Sequence, residues 1–424
     1  MNLTAILAVM LALIAYGLVS RKLEGSVLTG PMLFTVFGLV AGPALLGILP
    51  LQINNQSVHL LAEVTLILVL FSDAANIDLS QLRRDHNLPV RMLLIGMPLT
   101  IALGSAAALL LFGNLGFWEA ALLAAILLPT DAALGQAVVS NRLVPVRIRQ
   151  ALNVESGLND GIALPFVLIF AALASAMHVD TGAGDWLLFG AKQVVFGPIA
   201  GIAMGYVGAK LVARCYRTQW MSETAEGMIA LGLAFGAFAL AELIHGNGFI
   251  AAFVAGLTFG NTLQHKCEFL YEFAESEGQI LILLTFAAFG AAMLPQAMSA
   301  ATLGYLAFAI IALTVVRMLP VHLSLMGTGI KPVTSGFLGW FGPRGLASVL
   351  FVLLILEEVE LENEATVFTV VVFTVALSVL LHGVTAGPAA RRYGMLSQSM
   401  GPCEENMPVS EEPFSQTFGR TEEL

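Results

Sequence analysis

The feature that most constrains this chain is the recurrence of apolar runs about twenty residues long along nearly its whole length. A helix rises about 1.5 Å per residue, so a run of that size matches the roughly 30 Å hydrocarbon core of a bilayer. Such runs lie at 3–20, 27–48, 58–77, 88–112, 118–140, 150–177 and 186–210, and again at 225–245, 247–262, 279–295, 298–326, 335–356 and 364–388. Lipid offers no partner to an exposed backbone N–H or C=O, so spans of this length must be helices. The expected fold class is therefore an all-α polytopic membrane protein of about thirteen transmembrane helices. Composition agrees, with 58% hydrophobic and 11% charged residues, against roughly half and a quarter in a soluble domain.

Basic residues fall in every second loop, from Arg21 and Lys22 to Arg391 and Arg392, and the alternate loops carry none. The positive-inside rule then places the N-terminus outside, the C-terminus in the cytoplasm and the whole in a cell or inner membrane. Residues 1–396 form one transmembrane domain, and 397–424, acidic and interrupted by Pro402, Pro408 and Pro413, are expected to be a short disordered cytoplasmic tail. Cys215, Cys267 and Cys403 are too scattered for a disulfide framework or a zinc site. The formal net charge of -10 sits largely in loops and tail, and nucleic acid is excluded as a partner.

Against this background the charges inside the spans need a reason. Asp73, Asp131, Glu155, Asp160, Arg317 and Arg344 would each cost about 2.5–3.5 kcal/mol at mid-membrane if left unpaired. The densest group is NVESGLNDGIALP, residues 153–165. Helical spacing stacks Glu155 over Asn159 and Ser156 over Asp160, so adjoining parts of one face carry two acids. Oxygen donors suit hard cations, and a carboxylate in a low-dielectric pocket is costly when bare, so cation and proton compete for it.

The preceding span holds LLPTDAALGQ, in which Pro129 beside Thr130 and Asp131 should open the helix and free carbonyls as cation ligands. Late in the chain GWFGPRGLAS interrupts another span around Arg344. Broken segments in comparable places of two halves point to an inverted-repeat transporter whose site lies where the half-helix ends meet. Asp131 would then face positive half-helix ends and Arg344 negative ones. Arg317 needs an acid, and Glu155 is the candidate if Asp160 is kept for ions. Asp73, at the end of the third span, either lines the site or caps a helix.

The sequence resembles the NhaP-type branch of the monovalent cation:proton antiporter superfamily, which includes the sodium/proton exchangers of animal cells. The resemblance rests on Thr130-Asp131, on ESGLNDG in the next span, on HGNGFIAAFVAG from His245 to Gly256, on the lone Arg317 and on GPRG around Arg344, and it covers nearly all the spans. It implies a homodimer in which a core domain with two crossed, unwound helices moves against a dimerisation domain. It also implies that Asp160 carries cation and proton, with Asp131, Thr130 and Ser156 completing the ion site. Asn159 stands where electrogenic relatives have a second aspartate, so electroneutral exchange is implied, with Glu155 and Arg317 as a structural pair. Related exchangers often have glutamate near the position of Asp73, which is carried over only as a possible ligand.

The expected activity is exchange of sodium or lithium for protons, without a cofactor and without enzymatic chemistry; potassium is the alternative cation. A cation channel is the nearer rival. An intramembrane protease built on Asp131 and Asp160 is a more distant one, since a dyad needs neither Asn159 nor Arg344. His245 and His322, at span ends, are expected to be hydrogen bonded rather than to sense pH.

Overall fold

The computed structural model describes residues 3–23, 26–53, 55–84, 86–176, 183–222, 225–263, 268–401 and 403–406, and these contain helices and connections but no strand. In order the helices are α1 (Leu3–Leu23), α2 (Gly30–Ala41), α3 (Gln56–Ala75) and α4 (Asn87–Leu111). Next come α5 (Phe117–Ile126), α6 (Ala132–Val139), α7 (Val146–Ala176), α8 (Ala183–Arg217), α9 (Ala225–Leu243) and α10 (Gly248–Thr262). The chain continues with α11 (Glu268–Ala288), which passes through a π turn into Leu294–Ser299, and with α12 (Leu303–Ser324), kinked at Thr314. It ends with α13 (Pro332–Trp340), α14 (Leu346–Glu358) and α15 (Glu364–Ser399).

Among the described residues, eight helices are long and apolar enough to cross a membrane by themselves, and α2, α5, α9, α10 and α14 contribute shorter apolar stretches. The chain is thus an all-helical, multi-span membrane protein. α3 lies at the centre, packed against α10, α11 and α14, whereas α1 buries no residue and sits at the periphery. α10 approaches α3 backbone to backbone, because Gly256 and Gly260 leave room for the Phe71 and Ala75 carbonyls where any Cβ would collide.

Several boundaries differ from the sequence expectation. The run drawn at 27–48 is helical only to Ala41; Gly42 is extended (φ -69°, ψ 176°) because Pro43 after it disfavours the α region. The last helix, expected to stop at 388, continues through Pro388 to Ser399. One proline forfeits one helical hydrogen bond there, and the buried face of Ala386, Ala390, Tyr393 and Ser397 holds the helix together. The polar segment from Ser397 onward begins ordered. Glu404–Asn406 forms a 3₁₀ turn in which Glu404 meets Arg147 at 2.7 Å and Glu405 accepts from the Lys331 amide at 2.7 Å. The remainder of the expected tail, 407–424, and Cys267 lie outside the described residues. Cys215 and Cys403 are free thiols.

Candidate functional site

The site begins with two interruptions. α5 stops at Ile126, and the chain runs through Leu128, Pro129 and Thr130 to Asp131, whose φ of -85° and ψ of 115° make it the N-cap of α6. Pro129 cannot donate a backbone hydrogen bond and pushes Leu128 away from helical angles, so the ladder fails where the sequence predicts. α13 likewise ends at Trp340, and Phe341 to Gly345, with Pro343 in the middle, separates it from α14.

The interruptions cross and hold each other. The Asp131 amide donates to the Pro343 carbonyl at 2.8 Å. The Asp131 carboxylate accepts from Leu134 N at 3.0 Å, at the start of α6, and from Leu346 N at 2.7 Å, at the start of α14. One carboxylate therefore caps two helix N-termini, where orphan N–H groups and the helix dipole favour negative charge. In the opposite sense, Arg344 donates through Nη1 to the carbonyls of Leu128 at 3.0 Å and Pro129 at 3.3 Å, just beyond the C-terminal end of α5. Gly345 makes the crossing possible, since a Cβ there would strike the Asp131 carboxylate.

Against this crossing lies α7. Asn159 donates through Nδ2 to the Thr130 hydroxyl at 2.6 Å, and that hydroxyl is 3.0 Å from the Ser156 hydroxyl. Thr130, Ser156, Asn159 and Asp160 are all buried, yet Oδ1 of Asp160 and Oδ1 of Asn159 have no hydrogen-bond partner among the described residues. Asp160, Asp131, Ser156 and Asp73 line one cavity of about 1110 Å³ that reaches Asn141, Arg147 and Arg391, on the side of the basic loops. Asp73 sits in the last turn of α3, whose C-cap is Asn76, so it caps no helix start.

Five residues before Asp160 on the same helix, Glu155 is fully engaged. Arg317 of α12 donates Nη1 to Oε1 at 2.5 Å and Nη2 to Oε2 at 2.8 Å, in a bidentate pair with both side chains buried. Gly342 packs directly on the guanidinium, so the second interruption also touches this pair.

The structure thus brings Thr130, Asp131, Ser156, Asn159 and Arg344 together at the crossing, sets Glu155 and Arg317 beside it, and places Asp160 and Asp73 on the cavity shared with Asp131 and Ser156. Of the histidines singled out in the sequence, His322 is bonded to Ser335 at 2.8 Å and His245 forms the turn before α10. Sequence reasoning passed over His382 and Ser378 of α15, which bond to the backbone of the second interruption. The readable signal was a titratable ring in the middle of the apolar stretch LSVLLHGVTAG.

Two opposed broken helices beside a buried carboxylate with an unpartnered oxygen define a secondary transporter. Residues 9–392 match the family model described as "Sodium/hydrogen exchanger, transmembrane", and the chain belongs to that family of cation/proton antiporters, transporters rather than enzymes. It is 25% identical over 415 residues to the K(+)/H(+) antiporter NhaP of Alkalimonas amylolytica, covering 96% of this chain and 70% of that one. It is 29% identical over 345 residues to the Na(+)/H(+) antiporter NhaP of Pseudomonas aeruginosa, covering 76% and 78%. The structure superposes on the sodium proton antiporter MjNhaP1 of Methanocaldococcus jannaschii with a TM-score of 0.73 and 18% identity, covering 92% of this chain and all of that one, which shows a common fold.

Proposed function

We propose that the protein exchanges sodium or lithium for protons across a cell or inner membrane, one for one, by alternating access, with Asp160 carrying either species. The observation that carries this reading is Asp160 itself, whose buried Oδ1 has no protein partner among the described residues and which lines a cavity shared with Asp131, Asp73 and Ser156. A bare carboxylate there is costly, and either a proton or a cation removes that cost, so the two compete. Ser156 lines the same cavity and its hydroxyl lies 3.0 Å from that of Thr130, so the two are candidate further oxygen ligands, as is Asp73 across the cavity.

The remaining polar groups are assigned by what they touch. Asp131 and Arg344 offset the half-helix dipoles at the crossing, and Glu155 with Arg317 is a structural ion pair. Asn159 is neutral, so Asp160 alone changes its load and each half-cycle moves the same charge. Membrane voltage should therefore leave turnover unchanged.

If α5 with α6, and α13 with α14, are each taken as one interrupted crossing, the described helices are compatible with the thirteen passes expected. That odd number fits an outside N-terminus and a cytoplasmic C-terminus. The cavity then opens inward. A homodimer is the assembly that the family resemblance supports, and the acidic end of the chain is a cytoplasmic tail. Potassium is the second reading for the cation, favoured by the relatives named as K(+)/H(+) antiporters.

The test is proton movement in proteoliposomes carrying a pH-sensitive dye, on addition of sodium, lithium or potassium salts, with and without an imposed potential. Dissipation of the pH gradient by sodium or lithium, independent of potential, is the expected result. Dissipation by potassium alone replaces the cation; cation current without proton movement replaces the carrier with a channel.

A further inference from the structure

In an unbroken α-helix through residues 340–344, the Arg344 amide would donate to the Trp340 carbonyl, four residues back. Here that bond is open, and two side chains of α15 occupy its place. The Arg344 amide donates to the Ser378 hydroxyl at 2.6 Å. That hydroxyl lies 3.1 Å from His382 Nδ1, and His382 Nε2 lies 2.9 Å from the Trp340 carbonyl. Both ring nitrogens face a carbonyl, which can only accept: Nε2 faces that of Trp340 at 2.9 Å and Nδ1 that of Ser378 at 3.1 Å. With the single hydrogen of the neutral ring assigned to Nε2, the shorter contact, Nδ1 is left to accept from the Ser378 hydroxyl. The result is a continuous relay from the Arg344 N–H, through Ser378 and His382, to the Trp340 carbonyl.

A buried histidine needs partners wherever it lies, but these partners are specific: they are the two ends of one helical hydrogen bond that the interruption opens. The relay fixes how far apart those ends stand. Between them hangs the Pro343 carbonyl, which holds the Asp131 amide, and just beyond them is the Leu346 amide, which holds the Asp131 carboxylate. Trp340 is further tied to α15 through its indole N–H, which donates to Thr385 at 3.0 Å, and its ring lies against the His382 ring.

We propose that His382, acting with Ser378, is a positioning residue for ion binding: it splices a side-chain relay into the opened helix and so sets the place of Asp131 against the α7 cluster. This rests on the exchange reading above. It predicts that the neutral ring works through its donor and acceptor geometry, and that an amide of matching reach can substitute.

The test compares Ser378→Ala, His382→Leu, their double variant and His382→Gln in proteoliposomes at matched protein amount, with apparent cation KM and turnover measured separately. Ser378→Ala and His382→Leu should each raise the KM by about three- to tenfold, with a smaller change in turnover. The double variant should be no worse than the weaker single one, as expected for one relay. His382→Gln should recover most of the affinity, its amide accepting from Ser378 and donating to Trp340.

An unchanged KM in Ser378→Ala and His382→Leu overturns the proposal, as does a His382→Gln variant as impaired as His382→Leu. Should His382→Leu fail to accumulate, Ser378→Ala, which removes a single oxygen, decides the matter. Wild-type protein without exchange activity would instead remove the functional reading itself, before any variant is compared.

Discussion

Glu155 and Asp160 sit five residues apart on α7, are both almost wholly buried, and differ in nearly every other respect. Glu155 has both oxygens engaged by one guanidinium, whereas Asp160 leaves Oδ1 without a partner and faces the cavity. The same helix thus carries one carboxylate whose charge is matched by the fold and one whose charge the fold leaves unmatched. Burial alone does not mark a functional acid; incomplete pairing beside an accessible cavity does. The ion pair, for its part, shows how the fold tolerates buried charge, through bidentate geometry that engages both Glu155 oxygens with Nη1 and Nη2 of Arg317 and leaves only Arg317 Nε without a partner among the described residues.

The largest expected effect breaks the comparison at Asp160. Asp160→Asn should abolish cation-dependent proton movement while the protein inserts normally and unfolds at a temperature no lower than wild type, since an under-paired charge has been removed. Thermal unfolding of purified protein alongside the vesicle assay reads both. A variant that loses stability as heavily as it loses transport would place Asp160 with Glu155 as a structural acid.

Next comes the partner pair. Arg317→Ala leaves the Glu155 carboxylate buried and alone, which costs about 3–5 kcal/mol, so the amount of folded protein in the membrane should fall sharply. Glu155→Leu combined with Arg317→Met, which removes both charges and keeps the volume, should restore much of that amount. Quantifying monodisperse protein by fluorescence-detected gel filtration distinguishes the cases, and a double variant as depleted as Arg317→Ala would argue for a role beyond pairing.

Asp73→Asn should be milder. Asp73 lines the same cavity from α3, so removing its charge should raise the apparent cation KM by roughly two- to tenfold and leave the amount of protein intact. An unchanged affinity would restrict the site to the α7 residues and the crossing.

Much of this was legible in the sequence, for reasons that can be named. Apolar run length gave the spans because bilayer thickness is nearly constant. Pro129 and Pro343 marked the interruptions because proline removes a donor wherever it stands. The assignment of Glu155 to Arg317 followed from each buried charge needing a partner. What stayed hidden depends on contacts between distant segments. The relay of Ser378 and His382 joins residues some forty positions away from Trp340, and nothing local announces it. Gly42 with Pro43 cut the second run short, and the packing of Ala386 to Ser397 carried the last helix past Pro388, where propensity alone suggested a stop. The docked turn at Glu404–Asn406 escaped notice because its composition reads as tail, while its order comes from the partners it meets.

That turn offers a third carboxylate and the smallest test. Glu405 lies outside the membrane-spanning helices, and its Oε1 accepts from the Lys331 amide at 2.7 Å and the Thr334 hydroxyl at 2.8 Å. Burial pushes its pKa up, but these hydrogen bonds outweigh burial and hold it below its ordinary 4.5. A carboxyl whose pKa is lower folded than unfolded adds stability above the unfolded value and loses it as pH falls through the folded one. Glu405→Gln should therefore cost about 1 kcal/mol of docking at neutral pH, and the difference from wild type should shrink as pH falls below 4.5 and vanish once the folded carboxyl is protonated. Limited proteolysis of the C-terminal end across this range would show it. A difference that persists in acid would mean that Glu405 holds the turn by shape, which a glutamine spoils at any pH, rather than by charge-assisted hydrogen bonds of the kind Glu155 makes inside the membrane.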